Sequence, residues 1–128
     1  MLRTTIQTTD EVGKELPVPA DLRAKVQRAA DILSAMLHKV GEKFDIEARW
    51  WFEPKPRNDF AVVLRLSSAE GGLLASEFPK AYLDSDDSIR SWLWTPTGNF
   101  TDILSDELDR EFARIRHGLE AFVAEGKE

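Results

Sequence analysis

The sequence contains no cysteine, which excludes disulfide bonds, thiolate metal sites, iron–sulfur clusters and cysteine nucleophiles. It has only two histidines, His38 and His117, which are too few for a metal site built on imidazole. No segment approaches about 18 consecutive apolar residues, and Met1–Asp10 lacks the basic and then apolar pattern of a signal peptide. We therefore expect a cytoplasmic protein with no metal, no cofactor and no membrane-spanning segment.

Motifs for catalysis and phosphate binding are also missing. There is no G-x-S-x-G elbow and no G-x-G-x-x-G loop, and leucines follow Gly71-Gly72 where a phosphate loop has lysine and serine or threonine. The acidic run of Asp84, Asp86 and Asp87 lacks the glycine and the final glutamate of an EF-hand. We expect no catalytic residue and predict a protein that is not an enzyme.

The charge balance is acidic, with 17 Lys and Arg against 23 Asp and Glu, a net charge of −6 over 128 residues. Such a balance repels phosphate backbones and anionic lipid surfaces, so we expect neither nucleic acid nor membrane as a partner. The length fits one domain, which we place at residues 20–126. Residues 1–19, with a possible short strand at Arg3–Thr9, are interpreted as an N-terminal arm.

Two segments have the apolar period of an amphipathic helix. The first runs from Ala20 to a stop at Gly41, which we expect in the left-handed conformation that ends helices. The second runs from a cap at Ser105 to Glu125. The apolar positions that define them are Leu22, Val26, Ala29, Leu33, Met36, Leu37 and Val40, then Leu104, Leu108, Phe112, Ile115, Leu119, Phe122 and Val123.

Between the helices the apolar period falls to two, which indicates strands. Two alternating runs flank a proline-rich loop, Glu53–Asn58, and are predicted to form a hairpin. The simplest register places Trp50 opposite Val62, Trp51 opposite Ala61 and, on the polar face, Glu47 opposite Arg65.

A third strand is predicted at Leu73–Phe78, after a turn at Gly71-Gly72. Residues 80–95 allow two structures: a further hairpin, or a short helix whose first turn is acidic. We favour the hairpin because Trp, Ile and Thr prefer strands, with a turn at Pro96–Asn99 closing it. The expected fold is α+β, an antiparallel sheet of three to five strands with both helices on one face and the other face open.

Tryptophan is the residue whose placement is most unusual, with four in the chain. Strand alternation puts some of these rings with small apolar residues on the uncovered face, in a patch typical of protein interfaces. We predict that this patch binds a protein partner or a second copy of the chain, as a homodimer. Its predicted members are Trp51, Ala61, Val63, Arg90, Trp92 and Trp94.

Three segments resemble a known family. Phe78–Ile89 (FPKAYLDSDDSI), followed by Asp106–Phe112 and Leu119–Phe122, is similar to the C-terminal half of YbjN-type bacterial proteins, which share their fold with type III secretion chaperones. The likeness covers about 45 residues of strand, acidic turn, strand and closing helix. It implies a non-enzymatic, often dimeric protein that binds other proteins, and it supplies no catalytic residue.

These observations favour a protein-binding, chaperone-like adaptor or regulatory domain that uses the aromatic patch. The alternative is a small-ligand or enzymatic domain with a pocket between the sheet and the helices. That pocket would be lined by Trp50 and Phe52 and served by the carboxylates of Glu53 or Asp59.

Overall fold

The computed structural model describes the backbone of residues 1–69 and 73–126, and side chains as far as residue 106. The turn predicted at Gly71-Gly72 lies outside the described residues. The elements in chain order are β1 (Leu2–Gln7), α1 (Ala20–Met36), α2 (His38–Gly41), β2 (Ile46–Lys55), β3 (Asp59–Ser68), β4 (Leu73–Phe78), a 3₁₀ helix (Lys80–Asp84) and α3 (Asp86–Gly126).

The fold is α+β, as predicted, but its four-stranded sheet is mixed. The strand order is β1-β2-β3-β4, and β1 runs parallel to β2 while the other two pairs are antiparallel. The prediction of a purely antiparallel sheet is therefore wrong at β1. The physical reason is the connection: parallel neighbours need a crossover, and here α1 supplies it between β1 and β2.

The β2–β3 hairpin has a tighter turn than its prolines suggested. Lys55 pairs with Asp59, so the connection is only Pro56–Asn58, and Arg57 and Asn58 take φ values of 66° and 56°. Pro54 lies within β2, at a position that is beyond the end of β1. Because β2 has a neighbouring strand on one side only at that point, a residue without an N–H is tolerated there.

This short turn moves the register by two residues from the predicted one. Trp50 pairs with Leu64, and Trp51 pairs with Val63 rather than Ala61. A shift of two leaves each side chain on its predicted face. It does, however, place Glu47 opposite Ser67, so the cross-strand pair predicted between Glu47 and Arg65 is wrong.

Residues 86–99 form a helix, so both the hairpin preferred for residues 80–95 and the turn at Pro96–Asn99 are wrong. The segment is the first part of α3, which is continuous to Gly126, and Ser105 is therefore not a cap. Four side chains of α3 are fully buried at helical spacing. Their burial along one face of the helix outweighs the β propensity of the segment, which is why it is helical. They are Ile89, Leu93, Phe100 and Leu104.

The start and interior of α3 have identifiable stabilising contacts. Ser85 precedes the helix and its Oγ accepts a hydrogen bond from the Ser88 N–H at 3.2 Å, while Asp86 and Asp87 lie at the positive end of the helix dipole. Pro96 lies inside the helix and has no N–H to donate. The adjacent buried Thr97 donates its hydroxyl to the Leu93 carbonyl at 2.6 Å.

Helix α1 and the first part of α3 pack on the same face of the sheet, and this part of α3 precedes the predicted second helix, Ser105–Glu125. Their apolar residues join those of the strands in one core, in which Trp50, Phe78 and Leu33 are among the largest fully buried side chains. Ion pairs also connect α1 to the 3₁₀ helix, where Lys25 Nζ lies 3.1 Å from Asp84, and to the start of α3, where Arg28 binds Asp86. The side chains predicted to form the apolar stripe after Leu104 lie outside the described residues.

Gly41 has a role different from the predicted one. It ends α2 without the left-handed φ expected of a helix stop. Gly41 is buried against β1, and a Cβ there would lie 2.9 Å from the Leu2 Cβ and 3.4 Å from the Leu2 nitrogen. The missing side chain therefore allows β1 to approach α2. Among the described residues, no helix has the length and apolar character required to cross a bilayer.

Candidate binding face on the open side of the sheet

The side of the sheet opposite the helices carries the candidate site, here called the open face. Two of its residues, Ala61 and Val63, are 5% and 9% exposed, yet neither belongs to the core between the sheet and the helices. By strand register the open face consists of Arg3, Thr5, Gln7, Glu47, Arg49, Trp51, Glu53, Ala61, Val63, Arg65, Ser67, Leu73, Ala75 and Glu77.

Trp51 lies near the middle of the open face, and its indole is held by neighbours on the same strand. The Arg49 guanidinium carbon is 5.6 Å from the ring centroid, a cation–π distance. The indole N–H lies 3.4 Å from Glu53 Oε1, which accepts its hydrogen bond. Trp51 is half-buried and packs in the row it shares with Val63. The ring is therefore oriented and still accessible to another surface.

The residues after β1 form an ordered loop at the rim of this face. Thr9 pairs with Glu15, and Asp10 Oδ1 accepts hydrogen bonds from the N–H groups of Val12 at 3.0 Å and Lys14 at 2.8 Å. Gly13 takes φ 86°, which allows the tight turn. The arm predicted at residues 1–19 thus contributes β1 to the sheet and this loop to the rim, and it leaves Trp51 half-exposed.

A cavity of about 620 Å³ lies between this loop and the open face. Trp51, Arg49 and Arg65 line the cavity from the sheet, and Glu11 and Val12 from the loop. The volume is within the range of ligand-binding clefts, about 300–1,000 Å³. The cavity therefore combines an aromatic ring and two guanidinium groups with the carboxylates of Asp10, Glu11 and Glu53.

Two arginines occupy directly opposite positions on the open face. Arg49 and Arg65 are cross-strand partners, an arrangement that like charges normally destabilise. Arg49 donates a hydrogen bond to Gln7 Oε1. Within residues 1–69 and 73–106, neither guanidinium forms an ion pair with a carboxylate. Sequence reasoning missed this pair because the predicted register placed Arg65 opposite Glu47, although alternation already put both arginines on one face.

The structure separates the predicted patch into parts, because residues 86–99 are helical. Trp51, Ala61 and Val63 share the open face, whereas Arg90, Trp92 and Trp94 lie on α3. The Trp92 ring packs 4.4 Å from the Phe78 ring and lines a second cavity of about 450 Å³ beside β4. Trp94 is 75% exposed, and Arg90 is 3.6 Å from the Asp87 carboxylate.

The residues of the alternative pocket are placed differently from the prediction. Trp50 and Phe52 belong to the core between the sheet and the helices, and Trp50 is fully buried. The Lys80 ammonium donates a hydrogen bond to Asp59 and lowers the pKa of that carboxyl below its ordinary value. A general acid at neutral pH needs a raised pKa, so Asp59 has the wrong shift for that role.

The remaining acidic and imidazole groups are engaged in pairs. The three carboxylates of the acidic run that could supply calcium ligands each contact a basic side chain. They belong to Asp84, Asp86 and Asp87. His38 Nε2 lies 3.5 Å from Glu42 across the short helix α2. No cluster of three potential metal ligands occurs among the side chains described up to residue 106, while His117 lies outside them.

Comparison of the chain with protein-family models, with curated proteins and with solved structures found no match. The case for function therefore depends on the chemistry of the open face.

Proposed function

We propose that this protein is a non-enzymatic, chaperone-like adaptor that binds another protein on the open face of its sheet. One observation carries the proposal: Trp51 lies on the side of the sheet opposite the two long helices. Both long helices pack on the opposite side, so within the described residues no helix covers the indole, which is half-exposed beside Ala61 and Val63. A half-buried aromatic ring among small apolar and arginine side chains is the composition of an interface centre.

The arginine pair at the centre of the face favours a different protein over a second copy. The cavity beside Trp51 presents Arg49 and Arg65 without carboxylate partners among the described residues, in a chain whose net charge is −6. A partner surface that brings carboxylates to these arginines has complementary charge. Two copies of the chain meeting face to face would oppose arginine to arginine unless their registers were offset.

Site-directed photo-crosslinking in cells tests the proposal. A photo-reactive amino acid replaces Ala75, which is exposed on the open face, and in a matched control it replaces Ser91, which is exposed on α3. We expect one protein to crosslink through position 75 and not through position 91, and to bind again when both proteins are purified. Equal crosslinking at both positions would contradict the proposal.

Sedimentation velocity of the purified protein tests whether a second copy of the chain, rather than a different protein, binds the open face. We expect a monomer at micromolar concentration. A dimer that dissociates when Trp51 is replaced by alanine would overturn the proposal of a separate partner and assign the open face to self-association.

Small-ligand binding is the second candidate function, and the cavity on the open face is the observation that favours it. Its volume of about 620 Å³ fits a metabolite, although it lies on the side of the sheet away from the predicted pocket. A thermal-shift screen tests this function. A metabolite at 100 times its dissociation constant stabilises the protein by about 2.7 kcal/mol. If such a compound also loses its effect in Trp51→Ala, the adaptor proposal is contradicted.

A further inference from the structure

We infer that the open face recognises an extended segment of the partner, with one carboxylate side chain bound by Arg49 and Arg65 and an apolar side chain two residues away on Trp51. This inference rests on the proposed function and names the chemistry of its partner. It is argued from the positions of the two arginines, from the cavity and from the spacing of strand residues.

The two arginine side chains start from neighbouring positions, from which both can reach one anion in the cavity. Arg49 and Arg65 are directly opposite on β2 and β3, and residues in that relation have Cβ atoms about 4.5–5.5 Å apart. Both side chains line the same cavity. Guanidinium groups bind carboxylates through paired, charge-assisted hydrogen bonds, so a carboxylate between them removes the repulsion of the unliganded pair.

Arg49 is oriented before any ligand arrives. Gln7 accepts a hydrogen bond from Arg49 Nη2, and the guanidinium carbon lies 5.6 Å from the centroid of the Trp51 ring. One of its five N–H donors is used in this way, which leaves the others for a ligand. Less conformational freedom is therefore lost at Arg49 when an anion binds.

The surrounding carboxylates select a single anionic group over a polyanion. Asp10, Glu11 and Glu53 also line the cavity. Asp10 is occupied by backbone N–H groups, and Glu53 by the Trp51 indole and by Lys55 at 3.8 Å. A phosphate backbone would bring several negative charges close to these groups, whereas a single carboxylate brings one negative charge to a cavity that holds two guanidinium groups.

Strand geometry sets the spacing of the recognised residues. Along β2, Arg49 and Trp51 are two residues apart on the same face, which corresponds to about 6.8 Å. An extended peptide lying along the strands repeats its same-side side chains at the same interval. A carboxylate over the arginine row therefore places the side chain two residues away over the row of Trp51 and Val63.

Peptide titration followed by NMR tests this inference on the whole protein. The first probe is a soluble pentapeptide with glutamate and leucine two positions apart among serines. In the second probe glutamine replaces the glutamate, and in the third the glutamate and leucine are adjacent. We expect the first peptide to shift the side-chain N–H signals of Arg49, Arg65 and Trp51, and to bind about tenfold more tightly than either of the others.

The variants separate a specific site from general charge attraction. In Arg65→Gln the preference for the glutamate peptide over the glutamine peptide should fall well below tenfold, because one of the two guanidinium groups is lost. The matched control, Arg90→Gln, removes an exposed arginine on α3 and should keep the tenfold preference. Equal binding of the first two peptides to the unmodified protein would overturn the inference, as would inorganic phosphate that shifts the same three signals as strongly.

Failure of this inference is distinguishable from failure of the proposed function. If all three peptides shift Trp51 without dependence on Arg65, the open face binds protein segments but does not read a carboxylate. If no peptide shifts any open-face signal at millimolar concentration and position 75 captures no protein in cells, the proposed function fails as well.

Discussion

Replacement of Gly41 by alanine should destabilise the protein, although alanine is normally the better residue in a helix. The added Cβ would lie 2.9 Å from the Leu2 Cβ and 3.4 Å from the Leu2 backbone nitrogen. Neither atom is the mobile end of a side chain, so β1 or α2 has to move. Overpacking of this kind costs about 1–3 kcal/mol. Alanine stabilises a helix interior relative to glycine by at most about 1 kcal/mol. Only part of this gain applies at Gly41, because Gly41 is the last residue of a four-residue helix.

We therefore expect Gly41→Ala to lower the free energy of unfolding by about 1–2 kcal/mol, the overpacking cost less part of the helical gain. Gly98 in α3 is the matched control, because a Cβ there meets nothing within 4 Å. Gly98→Ala should raise stability by about 0.5–1 kcal/mol. Urea unfolding followed by tryptophan fluorescence measures both variants.

A second readout locates the change at β1. The Ile46 N–H donates to the Met1 carbonyl at 3.0 Å, so displacement of β1 should speed hydrogen exchange at that amide. Displacement would also move Gln7 away from Arg49 and loosen the rim of the binding face. If Gly41→Ala proves as stabilising as Gly98→Ala, the close packing of β1 on α2 is refuted.

Two further changes have defined outcomes. Because Lys80 lowers the pKa of Asp59, the ionised pair stabilises the fold above the ordinary carboxyl pKa, and this contribution is lost as pH falls through the lowered value. Acid unfolding of Asp59→Asn should thus depend less on pH below about 4 than that of the parent protein, and identical curves would contradict this. Ser85→Ala removes the cap bonded to the Ser88 N–H and should cost about 1 kcal/mol by thermal denaturation, whereas no loss would show that the cap is unimportant.

The sequence predicts the elements whose burial follows a clear local period. The apolar stripe of α1 is found as expected, and the alternation in β2 and β3 places Trp50 in the core and Trp51 on the open face. These features depend on neighbours a few residues apart, so local pattern is sufficient to find them. For the same reason, three members of the predicted patch, Trp51, Ala61 and Val63, lie together on one face.

What sequence reasoning missed depends on long-range packing. The parallel pairing of β1 with β2 joins residues 44 positions apart, and no local signal specifies it. In residues 86–99, the strand preference of Ile89, Trp92 and Trp94 conflicts with the helical spacing of the apolar Ile89 and Leu93, and burial of one helix face decides the outcome. Predicting that Arg49 and Arg65 lie opposite each other requires the correct register of β2 and β3. The three-residue turn at Pro56–Asn58 sets that register.

The most direct test of the open face as a docking surface uses the partner identified by crosslinking, after purification. Its affinity is measured for two tryptophan variants. Trp51→Ala removes the ring at the centre of the open face, and Trp94→Ala removes a ring that is 75% exposed on α3. By isothermal titration calorimetry, we expect Trp51→Ala to weaken binding by about 2 kcal/mol or more, roughly 30-fold, and Trp94→Ala to leave it unchanged. Equal affinities for Trp51→Ala and the parent protein would contradict the assignment of the open face as the docking surface.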